Sequence, residues 1–188
     1  NMTLRSLLAS TAFSLIIGAV PPAFAGSTRT GTAVNYVQTP DTYAFPLGDL
    51  KITALSDGTV PQDLHKLLTG ASQPEIDGHL QQSYLTNPVE ASINAFLIED
   101  DARFILIDTG SGQLFGPGYG GKLRDSLASV DVTPEDITDI LITHIHTDHT
   151  GGLVADARRV FANATVHVAA LELSFFMGGT NAGETGHA

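Results

Sequence analysis

The sequence predicts a mixed α/β (α+β) domain, and three stretches carry that expectation. Residues 92–98 and 103–108 are β-rich runs separated by Glu99-Asp100-Asp101-Ala102, the pattern of a hairpin. Leu123, Leu127 and Val130 then recur at helical spacing. Ile140-Leu141-Ile142 reads as a short buried strand after that helix. Of 188 residues, 43% are hydrophobic and 15% charged, which suits a packed core and excludes a disordered tail.

In chain order, residues 1–25 come first. They hold one charge, Arg5, an apolar run from Leu7 to Val20, and a terminal Ala23-Phe24-Ala25. That is the pattern of a secretory signal peptide, and the run is shorter than the roughly 18–20 residues that span a bilayer. Export to a periplasm or the medium is expected, with no membrane partner once the signal is removed. Residues 26–47, rich in Gly, Ser, Thr and Pro, read as an extended N-terminal arm. Residues 48–188 are then one domain. Leu50, Ile52 and Ala54 alternate with polar neighbours, so 49–56 is expected to be a strand closed by a turn at Asp57-Gly58. Residues 61–89 predict one or two short surface helices, with His65 and His79 as surface histidines. The glycine-rich 110–121 is a loop, and Thr133-Pro134-Glu135-Asp136 looks like a helix start.

Composition narrows the chemistry. Twenty acidic and nine basic residues give a net charge of −11, which argues against nucleic acid as a partner. With no Cys, disulfides, thiolate zinc sites and thiol nucleophiles are excluded. Any metal must be held by His, Asp or Glu. His144, His146, Asp148 and His149 stand within Thr143-His144-Ile145-His146-Thr147-Asp148-His149-Thr150-Gly151-Gly152. Two His at i and i+2 leaving a strand point to one side, and Gly151-Gly152 permits a tight path. Imidazole and carboxylate donors suit zinc, iron or manganese, and two differently aimed pairs suit two metals.

This His-x-His-x-Asp-His run resembles the signature of the metallo-β-lactamase superfamily. Ile105-Leu106-Ile107-Asp108-Thr109-Gly110 is similar to that superfamily's strand ending in Asp-x-Gly. Ile52 to Thr59, Leu114-Phe115-Gly116-Pro117 and Ile142-Thr143-His144 are similar to the exported methyl parathion hydrolase-like enzymes. The resemblance implies an αβ/βα sandwich of two face-to-face sheets with metals at one edge. It implies two divalent ions, Zn2+, with His144 and His146 on the first and Asp148 and His149 on the second. It gives Asp148 a catalytic part as well, makes Asp108 a hydrogen-bonding brace for the metal loop, and makes Phe115 and Phe176 pocket aromatics. The implied activity is hydrolysis of ester, lactone or phosphotriester bonds of small molecules by a metal-activated hydroxide, and a homodimer is an additional expectation.

The chain also departs from the family's pattern. His167, in the strand-like Thr165-Val166-His167-Val168, matches no family ligand, and His187 comes too soon after His149 to be the later one. Glu172 and Glu184 are the only acids beyond Asp156. The expectation is that the sequence holds mainly the N-terminal half of the sandwich, so an exported non-catalytic metal-binding protein, or a fragment inactive by itself, stands as the alternative. A thioester hydrolase like glyoxalase II fits the export signal poorly, and a β-lactamase proper fits the Asp-His pairing poorly. The half-sandwich expectation has a direct check: residues 26–188 should aggregate or unfold readily, and a soluble monomer with a cooperative unfolding transition would contradict it.

Overall fold

The computed structural model describes residues 42–178. The signal peptide, most of the N-terminal arm, Glu184 and His187 lie outside them. The arm's last residues, Thr42–Leu47, form strand β1, an edge strand paired antiparallel with β2 (Leu50–Gln62). Alternation explains it: Thr42 and Ala44 turn inward and Tyr43 turns out.

Strand β2 is longer than the sequence pattern suggests. Asp57-Gly58 does not end it; the register shifts between Ser56 and Gly58, a bulge, and pairing with β3 (Val89–Asp100) continues to Gln62. Two short helices, α1 (Leu64–Leu67) and α2 (Gln73–Gln82), fill the connection. His65, expected at the surface, is half-buried and bonded to Asp77 at 2.8 Å, tying α1 to α2. Strand β4 (Arg103–Ile107) completes the hairpin with β3.

After the glycine-rich loop comes α3 (Leu123–Ala128). Thr133-Pro134-Glu135-Asp136 then gives only one 3-10 turn. Thr133 and Asp136 do form a reciprocal capping box, and the Thr133 hydroxyl, then its amide, holds the Asp136 carboxyl below its usual range. Ile137 nevertheless turns extended, because β5 (Ile137–Ile142) pairs parallel with β4 from its first residue. Helix α4 (Thr147–Thr150), a ribbon of β6 (Val154–Ala155) and β7 (Arg158–Arg159), β8 (Thr165–Val168) and α5 (Ala170–Met177) follow.

The main sheet has the order β1-β2-β3-β4-β5-β8, antiparallel from β1 to β4 and parallel from β4 to β8. Its two faces differ. One register row runs Ala44, Thr53, Leu97, Leu106, Ile140, and all five are buried. Leu123 and Leu127 of α3, with Val132, Phe161 and Ala164, pack over that side. The next row runs Tyr43, Ala54, Phe96, Ile107, Leu141, His167, and there Tyr43, Phe96 and Leu141 are exposed. So Leu141, expected in a buried strand, faces outward. The described residues thus supply one mixed main sheet with helix α3 packed on one face, an α/β arrangement.

The contrast between the rows sets a stability test. Leu106→Ala, at a fully buried position, should cost about 2–5 kcal/mol, read as faster native-state proteolysis, which tracks the population of the opened chain. Leu141→Ala on the open face should cost far less.

Candidate metal centre

Every residue of the cluster stands just past the carboxyl end of a parallel strand. β4 ends at Ile107 and delivers Asp108; β5 ends at Ile142 and delivers Thr143 to His149. A parallel pair brings both ends to one edge of the sheet, where ligand sites form in open α/β folds.

Asp108 takes a left-handed backbone, φ 60°, which turns its carboxylate from the strand toward the neighbouring loop. There it is 5% exposed and accepts three hydrogen bonds. The Thr143 amide donates to Oδ1 at 2.8 Å, and the Thr143 hydroxyl donates to Oδ2 at 2.8 Å. His149 Nδ1 donates to Oδ2, also at 2.8 Å. Because an ionised carboxylate only accepts, the proton of a neutral His149 belongs on Nδ1, and Nε2 carries the lone pair. The same logic runs one step further. The Thr143 hydroxyl spends its proton on Asp108, so His144 Nδ1, 3.1 Å away, donates to it, and His144 Nε2 is also left with a lone pair.

Those two lone pairs face other donor atoms of the cluster. His149 Nε2 is 3.3 Å from Asp148 Oδ2, and His144 Nε2 is 3.1 Å from His146 Nδ1. The His144 ring lies 4.5 Å from that of His146 and 3.9 Å from that of His149, centroid to centroid. The four side chains therefore gather in one cluster that contains two short donor contacts, His144 to His146 and Asp148 to His149. Among the described residues, no three His, Asp or Glu converge on one point as a ready cage. In donor chemistry, imidazole nitrogens with a carboxylate, the pairs fit divalent zinc or a similar ion.

Local backbone supports this. His149 lies in the single turn α4, whose start leaves His146 extended, with φ −112° and ψ 163°. Gly151 and Gly152 are not there to supply unusual dihedrals. A Cβ on Gly151 would sit 2.1 Å from the Ser111 carbonyl, and one on Gly152 would sit 2.0 Å from that of Thr109. The motif's glycines let two loops touch. Thr109 completes the seam, its amide and hydroxyl both donating to the His149 carbonyl at 2.8 and 2.9 Å.

Two groups were not legible as part of the site. Asp57, expected in a turn, is fully buried and accepts from Ser111 N (2.8 Å), Ser111 Oγ (2.9 Å), Gly121 N (2.9 Å) and Leu123 N (2.9 Å). It shapes the whole loop after Asp108. Its signal was strand phase: Thr53, Leu55 and Asp57 point inward together and are 0%, 1% and 0% exposed, the reverse of the phase read from Leu50 and Ala54. Glu172 of α5 accepts from the Ile145 amide at 2.9 Å, and it is an isolated acid in an apolar helix.

Phe176 stands edge-on to the His146 ring, centroids 6.0 Å apart and planes at 87°. Phe115 is half-buried in the glycine-rich loop. His167, on β8, donates instead toward Asp139 at 2.8 Å, the main reason the Asp139 carboxyl sits below its usual range. A cavity of about 660 Å³ opens elsewhere, between α3 and the β6–β7 ribbon, and Arg124, Arg158 and Arg159 line it rather than any donor of the cluster.

Residues 89–185, more than half of the chain, match the metallo-beta-lactamase superfamily. The chain belongs to that superfamily. Its described fold is similar to hydrolase AbOPH of the beta lactamase superfamily, at 35% identity and a TM-score of 0.70, covering 79% of this chain and 51% of that one. It is similar to AidC, a dizinc quorum-quenching lactonase, at 29% identity and a TM-score of 0.69, covering 74% and 48%. Exodeoxyribonuclease WalJ of Streptococcus pneumoniae is 36% identical over 69 residues, 37% of this chain and 23% of that protein. The chain thus spans about half the length of these solved structures and less than a quarter of the curated relative.

The superfamily motif depends on Asp57 through the loop it shapes. Asp57→Ala should destabilise the chain by more than the about 1–3 kcal/mol of one orphaned buried donor, since three amides lose their acceptor. Protease cleavage within 110–121 under native conditions would measure it, and it should accelerate in the variant.

Proposed function

We propose that the chain carries the metal-binding part of a zinc-dependent hydrolase, exported and similar to the methyl parathion hydrolase-like enzymes, that acts on ester, lactone or phosphotriester bonds. The observation that carries this reading is the pairing of lone pairs with further donors. His149 Nε2 meets Asp148 Oδ2 at 3.3 Å and His144 Nε2 meets His146 at 3.1 Å, both fixed by hydrogen bonds on the far side of the ring. Electron-rich atoms held this close need a proton or a cation between them, and a cation also explains why Asp108 presets the tautomers. The similarity to AbOPH, a hydrolase, and to AidC, a dizinc lactonase, supports the same class.

In this reading His144 and His146 hold one ion, Asp148 and His149 the other, and further groups complete both coordination spheres. The ions would supply an activated water and a Lewis acid for the scissile bond. The chain's own residues do the rest. Asp108 fixes the tautomer and ring orientation of His149 and, through Thr143, keeps both Nε2 atoms forward. Asp148 is the carboxylate of the cluster, and its second oxygen can orient the attacking water and take its proton. Phe176 gives the approach an apolar wall, suited to an uncharged ester, lactone or triester that a surface of net charge −11 does not repel. A second reading, metal binding without turnover, draws on the lack of a three-donor cage among the described residues.

Zinc counting tests the first step. The full chain dialysed against micromolar zinc should retain at least one ion per chain, and near two would match the paired donors. His146→Ala and Asp148→Asn should each lose zinc and lower hydrolysis by more than the roughly 10–100-fold typical of an outer hydrogen-bonding partner. An aryl ester, a lactone and a phosphotriester make the substrate panel. No zinc on the wild-type chain would refute the reading, and zinc without turnover on any of the three would select the second one.

A further inference from the structure

Helix α5 is built the wrong way round for an ordinary surface helix. Leu171, Leu173, Phe175 and Met177 are exposed, at 84%, 41%, 45% and 75%. Glu172 and Phe176 are the half-buried members. Amphipathic logic would do the opposite, putting the leucines inside and the carboxylate in water. Turning a charge inward costs desolvation unless a specific partner receives it.

The partner is the metal loop. Glu172 Oε2 accepts the Ile145 amide at 2.9 Å, and Phe176, one turn later, sets its ring against His146. Positions i and i+4 share one helix face, so a single face grips both points. Phe175 buttresses the grip, its ring 5.0 Å from that of Phe176. Ile145 lies between His144 and His146, beyond the end of β5, where its amide has no strand partner. A carboxylate on a backbone amide is a charge-assisted bond, stronger than a neutral one. It fixes the peptide that sets the angle between the two imidazoles.

We propose that Glu172 is a positioning residue, which with Phe176 clamps the His144-Ile145-His146 span and thereby sets the affinity of the metal pair. This rests on the zinc reading above. It adds a residue that touches neither ion nor substrate and acts through the loop.

The test uses the full chain, zinc affinity by chelator competition, and amide hydrogen exchange at Ile145 in zinc-free protein. Glu172→Ala should speed exchange at Ile145 and weaken zinc by about tenfold or more. Glu172→Gln, which keeps a carbonyl oxygen in reach, should restore protection and most of the affinity. Phe176→Leu should weaken zinc several-fold while Ile145 stays protected. Circular dichroism would confirm that each variant folds, and if Glu172→Ala does not, Phe176→Leu carries the test. Wild-type zinc affinity in Glu172→Ala with Ile145 unprotected would overturn the proposal, leaving Glu172 a mere anchor. So would wild-type affinity in Phe176→Leu, or Glu172→Gln failing as badly as alanine. A wild-type chain that binds no zinc would overturn the zinc reading and this one together, a result distinct from the others because the variants play no part in it.

Discussion

One carboxylate sets the chemistry of the cluster. Asp108 sits where β4 ends, in a left-handed conformation that costs an L-residue about 1–2 kcal/mol. The return is three short hydrogen bonds, two from Thr143 and one from His149. They join the ends of β4 and β5, so the loop after β5 starts from a fixed point. They also determine which nitrogen of His149 and, through the Thr143 hydroxyl, of His144 carries the proton. Geometry and protonation state thus follow from the same group, and removing it would disturb both at once.

A second carboxylate makes the first possible. Asp57 is buried at the β2 bulge and gathers the backbone of residues 111, 121 and 123 around itself. That folds the glycine-rich stretch into a pad against which Gly151 and Gly152 press. Gly110 shows how tight the arrangement is: a Cβ there would lie 2.3 Å from the Asp57 carboxyl carbon, and its φ is 72°. A Cβ on Gly120 would likewise meet Ser111 and Asp57, whereas Gly116 and Gly118 have open space and are favoured as glycine by φ of 84° and 90°.

Much of this was legible in the sequence, and what was not had a common cause. The β3–β4 hairpin, α3 and the strand leading into the motif are local patterns, and they fold as the local patterns imply. The donor run His144 to His149 is local too. Asp57 failed as a reading because Asp-Gly is also a common turn; its partners lie more than fifty residues away, and only strand phase hinted at them. The edge strand β1 failed for the same reason: pairing with Leu50–Leu55 rescues a segment whose own composition reads as loop. Thr133 to Asp136 carries sound helix-start chemistry, yet the parallel pairing of Phe104 with Ile137 takes the chain over after one turn. Glu172 needed the direction of a helix face, which an almost uniformly apolar segment does not disclose.

The paired arrangement of donors follows from where they stand on the chain. His144 and His146 stand on either side of a tight turn at Ile145, where the His146 amide donates to the His144 carbonyl at 3.1 Å, and so reach one side together, whereas Asp148 and His149 are neighbours in a helical turn. A segment of six residues that passes from a tight turn to a helical turn presents its donors in two short contacts, and among the described residues no third donor joins either one. Zinc asks for four ligands, and a pair of side chains supplies half of them. On the zinc reading proposed above, the loop would be a first contribution to each ion, with Asp108 behind it and α5 beside it, and the other half of each coordination sphere would come from outside this loop.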